Sequence, residues 1–127
     1  MTKRNKIIYW IATLWLALGM TSTGIVQIIK MDEEVAMMQR LGYPLYFLTL
    51  IGVWKILGVL VVLVPRLPLV KEWAYSGFFF AMTGAIISHF AVDDAAMAFF
   101  GPSLLLVLTM VSWYFRPLDR KVVLEHV

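Results

Sequence analysis

The chain has no cysteine, which excludes disulfides, a CxxC redox pair, iron–sulfur ligation and zinc-thiolate sites made by this chain alone. Any redox chemistry must use a borrowed cofactor. Charge is also scarce: 15% of the 127 residues are charged and 61% are apolar, whereas soluble domains carry about 45–50% apolar residues. An ordinary soluble domain is therefore excluded, and one membrane domain over residues 1–127 is the expectation. There is no hydrolase triad, phosphate loop or metalloprotease motif, and no internal repeat or low-complexity segment. The net charge of +3 does not point to nucleic acid, because the basic residues surround apolar stretches instead of gathering on a soluble face.

What the chain does have is four long apolar runs, Ile7–Ile29, Tyr46–Val64, Trp73–Val92 and Met97–Phe115. Each approaches or exceeds the roughly 20 residues that cross a hydrocarbon core about 30 Å thick. Continuous runs of this length specify helices, since barrel strands alternate in segments of about ten residues. The expected fold is all-α: an antiparallel four-helix membrane bundle whose principal surroundings are the lipid bilayer. Tyr9 and Trp10, then Tyr43, Tyr46 and Phe47, then Trp73, Tyr75, Trp113 and Tyr114 fall near the ends of the runs, as interfacial aromatics do.

Lys3, Arg4, Lys6, Arg66, Lys71, Arg116, Arg120 and Lys121 all fall on one side of this arrangement. Lys30 and Arg40 share the other with Asp32, Glu33, Glu34, Asp93 and Asp94. The positive-inside rule then makes both termini cytoplasmic. The first run, about 23 residues with no A-x-A site, is too long for a signal peptide and reads as an uncleaved helix. Leu124-Glu125-His126 matches the start of a vector-derived tag as well as native sequence, and carries no functional weight.

Between the first two runs, Asp32-Glu33-Glu34 followed by Val35, Met38 and Leu41, with Arg40 and then Gly42, has the charge order and stop signal of a short amphipathic helix. Gly42 ends it and Pro44 lies beyond. Such a helix lies at the outer membrane surface, either as a spacer or as a lid over a cavity. Pro65-Arg66-Leu67-Pro68 forms a short helix-breaking connection, which makes runs two and three antiparallel neighbours. In run three, Ala74, Gly77, Ala81, Gly84 and Ser88 recur at spacings of three and four, a small-residue face of the kind that lets membrane helices approach closely. Run three is accordingly expected at the centre of the bundle. Gly52, three residues before Lys55, places a packing position on the lysine's own face.

Lys55 is the only charged residue within any of the runs. An ammonium at mid-membrane costs about 2.5–3.5 kcal/mol on insertion scales, and such residues usually face a functional interior. With about nine residues of helix on either side it lies roughly 13 Å from each interface, beyond the reach of its own stem. It needs a buried partner, an aqueous cavity or a neutral amine. The spans offer no carboxylate at that depth, only Thr83, Thr21, Ser22, Thr109 and backbone carbonyls. Two readings stand side by side: a structural lysine satisfied by hydroxyls and water, and a binding or proton-handling lysine.

His89 is the only histidine in or near the bilayer. It either bonds a ligand carbonyl or exchanges a proton, or simply pairs with Asp93 or Asp94. A bis-histidine haem lacks its second imidazole, and one imidazole with two adjacent carboxylates is a weak metal set, so no metal is assigned. Trp54 points about 100° away from Lys55 and meets the same cavity only at its edge. Gln27, Thr21, Ser22 and Thr23 form a polar cluster in the outer half of run one, of the kind that more often glues helices together than binds a ligand.

The strings Gly42-Tyr43-Pro44 with Tyr46-Phe47, Gly52-Val53-Trp54-Lys55-Ile56-Leu57-Gly58, Lys71-Glu72-Trp73-Ala74-Tyr75 through Gly77-Phe78-Phe79, and Thr83-Gly84-Ala85 with Ser88-His89 resemble the DoxX-like family of small bacterial membrane proteins. The resemblance covers almost the whole chain. It implies a four-helix protein of the bacterial cytoplasmic membrane. Better-known relatives are associated with quinone-linked thiosulfate oxidation or with membrane oxidoreductase assemblies. The chain departs from the family pattern at Ala81, where many relatives carry an acidic residue after the Phe-Phe-Phe string. That argues against a simple lysine–aspartate proton relay here.

These readings lead to a small accessory or ligand-binding subunit of a membrane redox system, with a quinone as candidate cofactor and a redox protein or a second copy as candidate partner. No self-contained catalytic motif marks it as an enzyme. Lys55, His89, Trp54 and Thr83 are the candidate ligand-binding residues; Gly52, Ala74, Gly77, Ala81, Gly84 and Ser88 are the candidate packing residues. Rival readings are a small-solute carrier or channel-like component with Lys55 as counterion, and a structural partner of another membrane protein. Small multidrug exporters have a similar size but depend on an intramembrane glutamate, which this chain lacks.

Overall fold

The computed structural model describes residues 2–122, so Leu124-Glu125-His126 lies outside the described residues. The fold is all-helical: α1 (Lys3–Ile28), α2 (Asp32–Leu41), α3 (Tyr46–Leu63), α4 (Pro68–Ala91) and α5 (Met97–Tyr114), followed by a short 3-10 turn at Leu118–Arg120. Four of these, all but α2, are long and apolar enough to cross a membrane. The protein is a multi-pass membrane protein.

Local chemistry sets the helix ends. Thr2 caps α1, its hydroxyl accepting from the Asn5 backbone N–H at 3.1 Å, which starts the helix ahead of the apolar run. Gly42 ends α2 with φ +83°, the left-handed conformation that glycine takes without strain. Pro68 does not prolong the connection after α3; it sits in the first turn of α4, where its missing N–H costs nothing. α4 therefore begins five residues before Trp73, and Lys71 lies inside the helix, not in the loop.

α1 packs against α3 and α5, and α4 packs against α5 and, more sparsely, α3, giving a ring in the order α1–α3–α4–α5. Leu16 and Met20, Val59 and Val62, Tyr75, Phe78 and Met82, and Leu105 meet at its axis. Ser112 ties three helices together, sharing hydrogen bonds with Thr13 at 2.6 Å and with Tyr75 at 2.8 Å.

α1 and α3 approach each other closely at Gly24 and Gly52. A Cβ added to Gly52 would lie 2.7 Å from the Gly24 carbonyl oxygen, and one added to Gly24 would lie 3.1 Å from that of Gly52. Along the α4 stripe Ala74 and Ala81 pack against the core, but the glycines behave differently from the expectation of a packing face. Added Cβ atoms at Gly77 and Gly84 would meet nothing within 4 Å, and α4 occupies one position in a ring instead of its centre. Small residues permit close approach but do not compel it. Here they leave space between α3 and α4.

At the end of α3 that faces the Pro65–Leu67 turn, two cations cover the carbonyls a helix C-terminus leaves without partners. Lys71 donates to Val61 and Val64. Arg120, only 6% exposed, donates to the Val62 carbonyl at 2.9 Å and the Tyr9 hydroxyl at 3.3 Å. Its guanidinium also lies over the Trp10 ring at 5.1 Å.

Candidate functional site

The space left by the α4 stripe is divided in two, with Lys55 at the division. On the side away from α2, a groove of about 480 Å³ runs between α3 and α4, lined by Trp54, Gly58, Trp73, Ala74, Gly77 and Phe78 among others. Under α2 is a chamber of about 190 Å³, bounded by Gln27, Met38, Tyr43, Gly84, Ser88 and His89 among others. Ile51, Lys55 and Ala81 line both. All five residues of the stripe face one or other space.

Lys55 is 6% exposed. It donates to Thr23 Oγ1 at 3.2 Å, and Thr23 in turn donates to the Gly19 carbonyl at 2.9 Å. The hydroxyl partner is thus on α1, beside the Gly24–Gly52 contact that brings α1 and α3 together. Thr83 is not that partner; it bonds back to the Phe79 carbonyl at 2.8 Å. Trp54 is 58% exposed and forms part of the groove rim.

Among the described residues no carboxylate forms an ion pair with Lys55 within 4.0 Å; the acidic charge that acts on it comes from α2. Glu34 lies near enough for its charge and that of Lys55 to act on each other. Burial pushes the Glu34 carboxyl above the ordinary glutamate value; Lys55 and the neighbouring Gln27 pull it down, but by less. Gln27 Oε1 and Glu34 Oε2 are both buried, and neither has a hydrogen-bond partner among the described residues.

His89, 5% exposed, lines the chamber but is held from outside it: Nδ1 donates to Asp94 Oδ2 at 2.6 Å. Arg40 near the end of α2 grips the same carboxylate, Nε to Oδ1 at 2.8 Å. The His89 hydrogen bond, with the Arg40 guanidinium beside it, holds the Asp94 carboxyl below the usual range. A second tie follows directly after α2, where Tyr43 shares a hydrogen bond with Ser88 at 2.5 Å and stacks on Phe47 at 5.0 Å. α2 is therefore fastened to the α4–α5 connection and buries Met38 against the bundle. It covers the chamber; it is not a loose spacer.

A model of the DoxX-like family matches residues 11–112. The chain belongs to that family. The match runs from the third turn of α1 to the last turn of α5, so every residue of the chamber and groove falls within the DoxX-like region. No curated protein and no solved structure matches the chain.

The structure brings Lys55 and His89 to one chamber, leaves Trp54 at the rim of the adjoining groove, and turns Thr83 away from both. Reading the sequence in search of this site missed Thr23 as the lysine's partner and Glu34 as the acidic charge that acts on it. The signal for Thr23 was its spacing of four from Gln27, which puts both on one face of α1. For Glu34 the signal was weaker: a charged residue in the first turn of an amphipathic helix, next to Val35 on the buried side.

Proposed function

We propose that this DoxX-like protein is a ligand-binding accessory subunit of a membrane redox system in the bacterial cytoplasmic membrane, both termini cytoplasmic, its ligand a quinone or a similarly lipophilic molecule. The observation that carries the reading is the position of Lys55. A buried ammonium where a mainly apolar chamber, into which Gln27, Ser88 and His89 bring polar groups, meets an apolar groove can hold a polar head by a charge-assisted hydrogen bond while a tail lies among hydrocarbon. Thr23 uses one of the three donors of Lys55, and the others are directed to the ligand. His89 and α2 close the chamber on its outer side, and Trp54 borders the groove where a tail leaves it.

The test is mass spectrometry of small molecules retained by gently purified protein, comparing wild type with Lys55→Met, which keeps the side-chain volume. A lipophilic molecule held stoichiometrically by the wild type and lost from the variant supports the reading. Retention of nothing beyond bulk lipid by either refutes it.

A further inference from the structure

The polar groups of the chamber define the chemistry of the head that fits there. Tyr43 and Ser88 satisfy each other, and the His89 Nδ1 proton is committed to Asp94. What remains on the α1 and α2 side is a surplus of acceptors. Gln27 is 8% exposed, lines the chamber, and keeps Oε1 without a partner among the described residues, as Glu34 does Oε2. Buried acceptors in that state carry a desolvation cost that an incoming donor removes. Facing them is Lys55, which only donates.

A hydroxyl group satisfies both sides: its oxygen accepts from an ammonium and its hydrogen goes to a carbonyl or carboxylate. A carbonyl or ether oxygen satisfies Lys55 alone and leaves the acceptors as they were. The continuity of chamber and groove through Ile51, Lys55 and Ala81 sets the rest of the molecule. Apart from Lys55, the groove is walled by aliphatic, aromatic and glycine residues, which suits one hydrocarbon tail and no second polar group.

We infer that the site takes a single-tailed amphiphile with a hydroxyl-bearing head, the hydroxyl seated between Lys55 and the Gln27 side-chain carbonyl, which both line the chamber, and the tail lying in the α3–α4 groove. This rests on the ligand-binding reading above and narrows it to ligands bearing a hydroxyl, which for a quinone-type ligand means the reduced, quinol form. Polarity discriminates at the head, and shape admits the tail.

The test uses two probes that differ at the phenolic oxygen, 4-dodecylphenol and its methyl ether, bound to the full-length protein in micelles and quantified by native mass spectrometry. The phenol is expected to bind about tenfold more tightly than the ether, the scale of one hydrogen bond to an otherwise unpaired buried acceptor. In a variant carrying Gln27→Leu and Glu34→Gln the two probes should bind within about twofold of each other. Gly77→Leu, which fills the groove where a side chain meets nothing, should abolish binding of both. Equal binding of the two probes by the wild type, still abolished by Gly77→Leu, overturns the hydroxyl assignment and leaves the ligand-binding reading standing. Binding of neither probe overturns the hydroxyl assignment, and the retained-molecule experiment then decides the wider reading by itself.

Discussion

Two glycines on facing sides of the bundle separate a packing contact from a cavity wall, and alanine at each measures the difference. A methyl group at Gly52 would lie 2.7 Å from the Gly24 carbonyl oxygen and 2.7 Å from Ile28 Cγ1. The side chain of Ile28 can move; the backbone oxygen moves only if α1 shifts on α3. Overpacking of this kind costs about 1–3 kcal/mol. At Gly77 the same methyl meets nothing within 4 Å, and the gain in helix propensity is up to about 1 kcal/mol. Gly52→Ala should therefore be less stable than Gly77→Ala by roughly 1–4 kcal/mol. Reversible unfolding in mixed micelles with increasing mole fraction of denaturing detergent, followed by helical circular dichroism, gives both values against wild type. If Gly77→Ala is as destabilising as Gly52→Ala, the α4 stripe is a helix-packing face and the groove between α3 and α4 does not exist as described.

Other perturbations test the remaining parts. Arg120→Met removes the donor to the Val62 carbonyl while keeping an apolar stem, and should cost about 1–3 kcal/mol in the same unfolding assay, the range for a buried acceptor left unpaired. Lys55→Met loses the bond to Thr23 but no longer buries a charge, and Thr23 keeps its bond to Gly19. Its stability should stay within about 2 kcal/mol of wild type, since breaking the interaction and removing the buried charge oppose each other. Asp94→Asn weakens the grip of Arg40 and His89 on one carboxylate, so hydrogen exchange of the α2 amides should accelerate while that of the α1 core stays unchanged.

The pH dependence of α2 follows from two carboxyls with opposite shifts. Glu34 is raised, chiefly by burial, so the packed state binds its proton more tightly than the open one. Packing of α2 should tighten as pH falls from neutral through that raised value, and loosen as pH rises through it. Asp94 is lowered, chiefly by the His89 hydrogen bond; its contribution is complete above the ordinary carboxyl range and disappears as pH falls through the lowered value. Exchange protection of α2, corrected for intrinsic rates, should rise and then fall on acidification. Glu34→Gln removes the rise and Asp94→Asn removes the fall. A monotonic profile in the wild type would contradict the two shifts.

The sequence by itself determined the four spans, α2 with its stop at Gly42, and the burial of Lys55. Each depends on quantities that accumulate along the chain: the transfer free energy of successive apolar residues, the left-handed preference of one glycine, and the distance from a mid-span lysine to either interface. Tertiary structure decided everything that depends on which side of a helix faces which neighbour. The stripe from Ala74 to Ser88 has the spacing of a packing face whether it meets a helix or a void, and only the arrangement of α3 against α4 makes it line the groove at Ala74 and Gly77 and the chamber at Gly84 and Ser88. Thr23 and Thr83 are equally able acceptors for Lys55, and the Gly24–Gly52 contact selects Thr23 by bringing α1 against α3. Glu34 and Arg120 come from segments outside the spans: Arg120 bonds the Val62 carbonyl 58 residues away in sequence, and the charge of Glu34 acts on Lys55, 21 residues away. Hydropathy is a sum over neighbours in the chain and carries no azimuth; the site is made of azimuths, which packing alone fixes.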